Sequence, residues 1–174
     1  YKDAAEAREL LGALVKKLIR EEGLSSEAVT ILSARNPSAR DSILYQVDEV
    51  GKAPLHRYQG VGKKGTWREA RPPQGAIGVS TIAGFKGLET PVGIMLNVSE
   101  YNLPVDNPIM ASLIYVACTR AKHMLYVFLR ADDPKLAAFE QALSAIKQTG
   151  SMVIEGSKAD FEFSGRVVHY NPCL

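Results

Sequence analysis

Gly75-Ala-Ile-Gly-Val-Ser-Thr-Ile-Ala-Gly-Phe-Lys-Gly-Leu-Glu-Thr-Pro-Val-Gly-Ile-Met-Leu-Asn-Val98 holds two short apolar runs, 75–81 and 91–98, split by a polar segment with two glycines. Runs of this length, bounded by turn residues, read as buried strands. Working outward, Ala28-Val29-Thr30-Ile31-Leu32 is a third such run, Leu55 to Gln59 a fourth and His123 to Leu129 a fifth. Helix signals fall between and around them. Leu11, Leu14, Val15, Leu18 and Ile19 recur on one helical face over Asp3 to Glu22, with an Asp3/Glu6 capping pattern and a stop at Gly23. Asn36-Pro37 predicts a capped helix to about Val47, Asn107-Pro108 another, and Asp133-Pro134 a third to about Gln148. The tail from Met152 to Tyr170 predicts short strands.

Strands alternating with helices predict an α/β domain with a mostly parallel central sheet flanked by helices. In such sheets ligands bind beyond the carboxyl ends of the strands, so loops that follow strands are where chemistry is expected. At 174 residues the chain is expected to be a single domain.

Composition narrows the function classes. Apolar residues make up 46% and charged residues 23%, which excludes a disordered or fibrous chain. The formal net charge of +2 does not by itself announce a nucleic-acid or membrane partner. The longest apolar stretch, Ile109 to Leu129, is interrupted by Thr119-Arg120-Ala121-Lys122-His123, so no membrane span is expected. Tyr1-Lys2-Asp3 carries neither an export signal nor an initiator Met, and the expectation is a cytoplasmic piece of a longer polypeptide. Two cysteines, Cys118 and Cys173, and three scattered histidines, His56, His123 and His169, offer no metal-ligand spacing. Cys118 is expected to be a small buried group, and Met110, Leu113, Ile114, Met124 and Leu125 core residues.

Gly60-Val61-Gly62-Lys63-Lys64-Gly65-Thr66 imitates a phosphate-binding P-loop but lacks Lys after its last glycine, and Pro72-Pro73 follows instead of a clean helix. It reads as a basic turn. From Lys52 to Arg71 six cations face one acid, Glu69, and Tyr58 and Trp67 lie among them. Lys63, Lys64, Trp67 and Arg68 have the chemistry of a single-stranded nucleic-acid surface, although a solvated loop fits the same residues.

Two segments carry the functional reading. In Thr81-Ile-Ala-Gly-Phe-Lys-Gly-Leu-Glu89, Lys86 can serve as a point charge near phosphate and Glu89 can accept from sugar hydroxyls; a solvated Lys–Glu pair is the structural alternative. In Leu113-Ile-Tyr-Val-Ala-Cys-Thr-Arg-Ala-Lys-His123, a guanidinium fixed between two apolar runs can meet phosphate bidentately, or can simply end a helix favourably.

Taken together, Phe85-Lys86-Gly87-Leu88-Glu89 and Tyr115-Val116-Ala117-Cys118-Thr119-Arg120-Ala121-Lys122 resemble motifs V and VI of UvrD/Rep-like superfamily 1 DNA helicases in sequence, order and spacing. Val29-Thr-Ile-Leu-Ser-Ala-Arg-Asn36 looks like the weaker motif IV, so the resemblance spans about residues 25 to 130. It implies the second, C-terminal RecA-like domain of the motor, a three-layer α/β fold. Arg120 would be the arginine finger on the γ-phosphate of ATP, Glu89 the ribose contact, and Gly87 a close backbone approach to the nucleotide. Lys86 would lie near phosphate, Arg35 would be a second phosphate contact, and Thr81 would touch the single-stranded DNA backbone. The implied partners are single-stranded or partly duplex DNA and an N-terminal RecA-like domain that holds most of the ATP and its Mg²⁺. Residues 29–36, 81–89 and 113–123 are the matching motifs. The chain departs from the pattern at Ala83, where the family often has His, and at Ala34, where its usual Arg falls one place early. No Walker A loop and no acidic pair for magnesium is present, so the 174-residue chain alone is expected not to hydrolyse ATP. These departures favour a rival, a degenerate, non-catalytic module that binds nucleic acid or protein; an RNA-directed motor is a third reading.

Overall fold

The computed structural model describes residues 1–58, 71–100 and 107–149. Lys63, Lys64, Trp67 and Arg68, and the strands expected in the tail, lie outside the described residues. The chain divides into two compact units, Tyr1–Asp133 and Pro134–Leu174. The first contains a six-stranded sheet: β1 (Val29–Ser33), β2 (Glu49–Val50), β3 (Ala53–Arg57), β4 (Ile77–Thr81), β5 (Thr90–Leu96) and β6 (Ala121–Val127), in the order β2-β3-β4-β1-β5-β6. Every neighbouring pair is parallel except β2–β3, a short antiparallel hairpin through Gly51-Lys52. The expected α/β class is the observed one. The hairpin strand β2 was not legible as a separate element.

β1 is central and buried throughout, which is why it reads as a continuous apolar run and not as an alternation. Alternate residues serve opposite faces. Val29 and Ile31, with Ile77, Val79, Val92, Ile94 and Leu96, meet α1 (Ala4–Lys16) through Ala7, Leu11 and Val15, all fully buried. On the other face Leu32, Met95, Ile82 and Phe85 are buried, and α2 (Pro108–Arg120) packs there through Met110 and Ala117 against β5, β6 and the 83–85 turn. Helices on both faces make the three layers. The second unit's described part is α3 (Lys135–Thr149), close to the helix expected to end at about Gln148.

Both caps that open helices in the first unit form as expected. The Asp3 carboxylate accepts from the Ala5 and Glu6 amides, at 2.8 and 2.9 Å, and the Asn107 side chain accepts from the Ile109 amide at 3.0 Å. The Glu6 carboxylate reaches back one residue further than a capping box requires, to the Lys2 amide. After Lys16 the helix widens into a five-residue π turn, Lys17–Glu21, before Gly23 ends it.

The helix expected from Asn36 to about Val47 does not form. Asn36 caps the Ser38 amide at 3.0 Å, but the backbone then makes separate i→i+3 turns at Asn36–Ala39, Ala39–Ser42, Ser42–Tyr45 and Leu44–Val47. Two arginines replace the missing helical bonds. Arg8 from α1 donates to the carbonyls of Ile43 and Tyr45, and Arg57 from β3 donates to those of Leu44 and Val47, at 2.6–3.3 Å. Backbone buried without such partners would cost about as much as lost hydrogen bonds. Ser42 turns inward to Asn97, so Ile43 and Leu44 can both be buried, which a single helical face would not favour.

Further corrections concern α2 and β6. Cys118 is exposed, not buried; Ala117 beside it is the buried residue. Met124 is 38% exposed and Leu113, Ile114 and Leu125 are only half-buried; among the described residues β6 is last in the sheet order, with β5 as its one neighbouring strand. Of the five expected core residues in this region, Met110 alone is fully buried.

Candidate functional site

The segment 82–89 leaves the carboxyl end of β4 and must arrive at the amino end of β5. Thr81 pairs in register with Ser33, which pairs with Leu96 at the far end of β5. Seven residues of β5, at about 3.3 Å each, therefore separate Thr81 from Glu89, roughly 23 Å along the strand. The segment straddles the sheet: Thr81 stands at the carboxyl edge, while Gly87 and Glu89 stand at the amino edge.

Two features of the segment fix that path. The Thr81 hydroxyl accepts from the Gly84 amide at 2.9 Å, and a Cβ on residue 84 would come within 2.7 Å of that oxygen. Gly87 sits at φ +87° with nothing within 4 Å of where a Cβ would stand. It is needed for its backbone conformation, and the space beside it is open to solvent.

At the same edge α2 passes into β6 without a connecting loop. The Thr119 hydroxyl donates to the Val116 carbonyl at 3.0 Å in the last turn, Ala121 is already extended, and it pairs with Thr90. Arg120 is thus held by a helix on one side and a strand on the other. Its Nη1 donates to the Leu88 carbonyl at 3.3 Å, and its Nε and Nη2 donate to the Thr119 hydroxyl at 3.4 and 3.2 Å. These are long bonds to neutral oxygens.

The pairing of β5 with β6 is irregular next to this point: Thr90 to Val92 faces Ala121 to Met124, one residue more on β6. Such a bulge re-aims a side chain. Here Lys122 reaches the Glu89 carboxylate at 2.6 Å, with both side chains 54% exposed. The hydrogen bond and charge of Lys122 hold the Glu89 carboxyl below its ordinary range, and the Arg120 charge adds a smaller push in the same direction. Arg120, Lys122, Gly87 and Glu89 are therefore one group, with exposed Lys86 on the same segment.

Arg35 is not part of it. It follows β1 at the carboxyl edge, pairs with Asp41 at 2.6 Å and donates to the Glu100 carbonyl at 3.1 Å. Around it lies a polar cluster that sequence reading missed. Asn97, fully buried at φ +61°, accepts from Ser33 at 3.0 Å and from Ser42 at 3.3 Å, and its amide donates to Glu100 at 3.4 Å. Tyr1 donates its hydroxyl to Glu100 at 2.7 Å, and burial beside that carboxylate pushes the phenol well above its usual range, so it remains a donor. The available signal was an Asn directly after a strand, a residue that tolerates positive φ.

Among the described residues no helix is long and apolar enough to cross a membrane, and no group of three or more His, Cys, Asp or Glu could hold a metal ion. No family model and no curated protein matches the chain.

Proposed function

We propose that the chain is the C-terminal, RecA-like motor lobe of an ATP-dependent DNA helicase or translocase of the UvrD/Rep kind. The observation that carries the reading is the meeting of Arg120 and Glu89, distant in sequence, at one edge of the sheet beside the open turn at Gly87. On this reading the triphosphate lies mainly on a Walker-bearing N-terminal lobe and its far side faces this edge. Arg120 gives up its weak bonds to Leu88 and Thr119 and neutralises charge developing on the γ-phosphoryl group, an effect worth about 10³–10⁵ in rate. Glu89 accepts from the ribose hydroxyls, Gly87 lets the backbone approach, and Lys86 adds positive potential. Magnesium supplies charge neutralisation on the phosphates when bound. The carboxylate at this edge is already engaged by Lys122, so metal ligation belongs to the other lobe.

The single-stranded DNA track falls at the opposite edge on this reading. The Thr81 hydroxyl, whose oxygen accepts from Gly84, keeps its own hydrogen for a phosphate oxygen. The basic stretch with Lys63, Lys64, Trp67 and Arg68 follows β3 in the chain and has the chemistry for the same kind of contact. Arg35 belongs with this edge and not with the nucleotide. Single-stranded or partly duplex DNA in the cytoplasm is the proposed substrate. Ala34 and Ala83 favour the second reading, a non-catalytic module. Arg120→Ala in the intact polypeptide separates the two: DNA-stimulated ATP turnover should fall at least about 10³-fold while nucleotide binding stays within a few-fold. Unchanged turnover in the variant would remove the motor reading.

A further inference from the structure

A carboxylate and a guanidinium at one site normally seek each other, because the planar fork of Arg fits both carboxylate oxygens. Here they do not pair. Glu89 bonds Lys122 at 2.6 Å, and among the described residues the Arg120 guanidinium bonds the Leu88 carbonyl and the Thr119 hydroxyl. The arrangement is built into the sheet: the extra residue on β6 between Ala121 and Met124 turns Lys122 toward the start of β5.

We propose that Lys122 is a positioning residue that holds Glu89 away from Arg120 and so keeps the arginine finger free to leave for phosphate. The inference rests on the motor reading above. Arg120's charge already reaches Glu89. Once Lys122 is neutral, the carboxylate turns to that guanidinium and forms the forked pair, which each turnover must then break. Lys122 touches neither nucleotide nor the reacting atoms; it acts through Glu89 alone.

The test is a double-mutant cycle in the intact, DNA-stimulated polypeptide at saturating ATP. Lys122→Met should lower kcat about fivefold, the size an exposed charge pair can impose. Lys122→Arg should restore it, and Lys122→Gln should reproduce the loss should the Met variant fail to fold. The decisive comparison is Lys122→Met added to Glu89→Gln. With the carboxylate gone, removing Lys122 should cost nothing further, so the double variant should turn over at the rate of Glu89→Gln alone. A fivefold loss that persists in the Glu89→Gln background, or Lys122→Met and Lys122→Gln with wild-type kcat, would overturn the inference while a collapse in Arg120→Ala leaves the motor reading standing. Failure of Arg120→Ala to slow turnover would instead remove the reading beneath it.

Discussion

The two ends of this sheet treat their polar side chains in opposite ways. At the carboxyl edge Ser33, Ser42, Asn97 and Glu100 bond one another or Tyr1, and the Arg35 Nη1 is shared between Asp41 and a carbonyl. At the amino edge Arg120 makes three long bonds to neutral oxygens, and Lys122 and Glu89 stand half-exposed. Buried polar groups fully bonded to each other specify a structure; exposed charges held in place by rigid elements are available to a ligand. The usual rule places ligands at the carboxyl ends of parallel strands. In this chain the described carboxyl-edge groups are largely bonded within the fold, while Arg120, on long bonds to neutral oxygens, stands at the other end.

If that contrast is right, substitutions at the two edges should separate stability from turnover. The largest stability loss belongs to Asn97→Ala. It leaves the buried Ser33 and Ser42 hydroxyls without their acceptor and puts a Cβ-bearing residue with no compensating bond at φ +61°, for an expected loss of about 3 kcal/mol in urea unfolding. Asn97→Gly should cost about 1 kcal/mol less, since glycine accepts that conformation. Equal losses would show that the hydrogen bonds alone matter. Arg57→Ala should cost about 2 kcal/mol by freeing the Val47 carbonyl and leaving that of Leu44 with its turn bond from the Val47 amide alone, with no change in nucleotide binding. A wild-type unfolding midpoint would mean that water replaces the guanidinium in the 36–47 segment.

At the amino edge the effects shrink. Gly87→Ala should cost about 1 kcal/mol, from backbone strain alone, because the space around it is empty. Lys122→Met should leave the unfolding midpoint unresolved from wild type, and its signature is a titration. The Glu89 carboxyl, followed by NMR, should titrate below the ordinary Glu value near 4.3 and return toward it in Lys122→Met. The sign follows from a folded-state value lowered relative to the unfolded chain. The contribution of the pair is complete above the ordinary Glu range and is lost as pH falls through the lowered value. An unshifted Glu89 in the wild type would mean that the ion pair does not persist in solution.

Much of the fold was legible because burial on both faces gives parallel strands an unmistakable apolar run. Val29–Ser33, Ile77–Thr81 and Thr90–Leu96 fall within two residues of the expected strands. The failures share a cause, tertiary partners overriding local signals. Asn36-Pro37 is a sound helix start, yet Arg8 and Arg57, far away in sequence, stabilise a chain of turns there instead. The exposure of Met124 goes with β6 being last in the order of the described strands, and strand order is not written in periodicity. For the site, the residue types at 87, 89 and 120 were readable. That Thr81 and Glu89, in one motif, stand at opposite edges required the register of β4, β1 and β5.

The most direct test is a structure of the intact polypeptide with single-stranded DNA and ADP bound to a planar phosphate mimic. The account expects the Arg120 guanidinium within about 3 Å of the mimic and the Glu89 carboxylate within the same distance of a ribose hydroxyl, with the DNA at the Thr81 edge. A nucleotide bound at the Arg35–Asn97 edge, or one bound elsewhere while Arg120 still rests on Leu88, would contradict it.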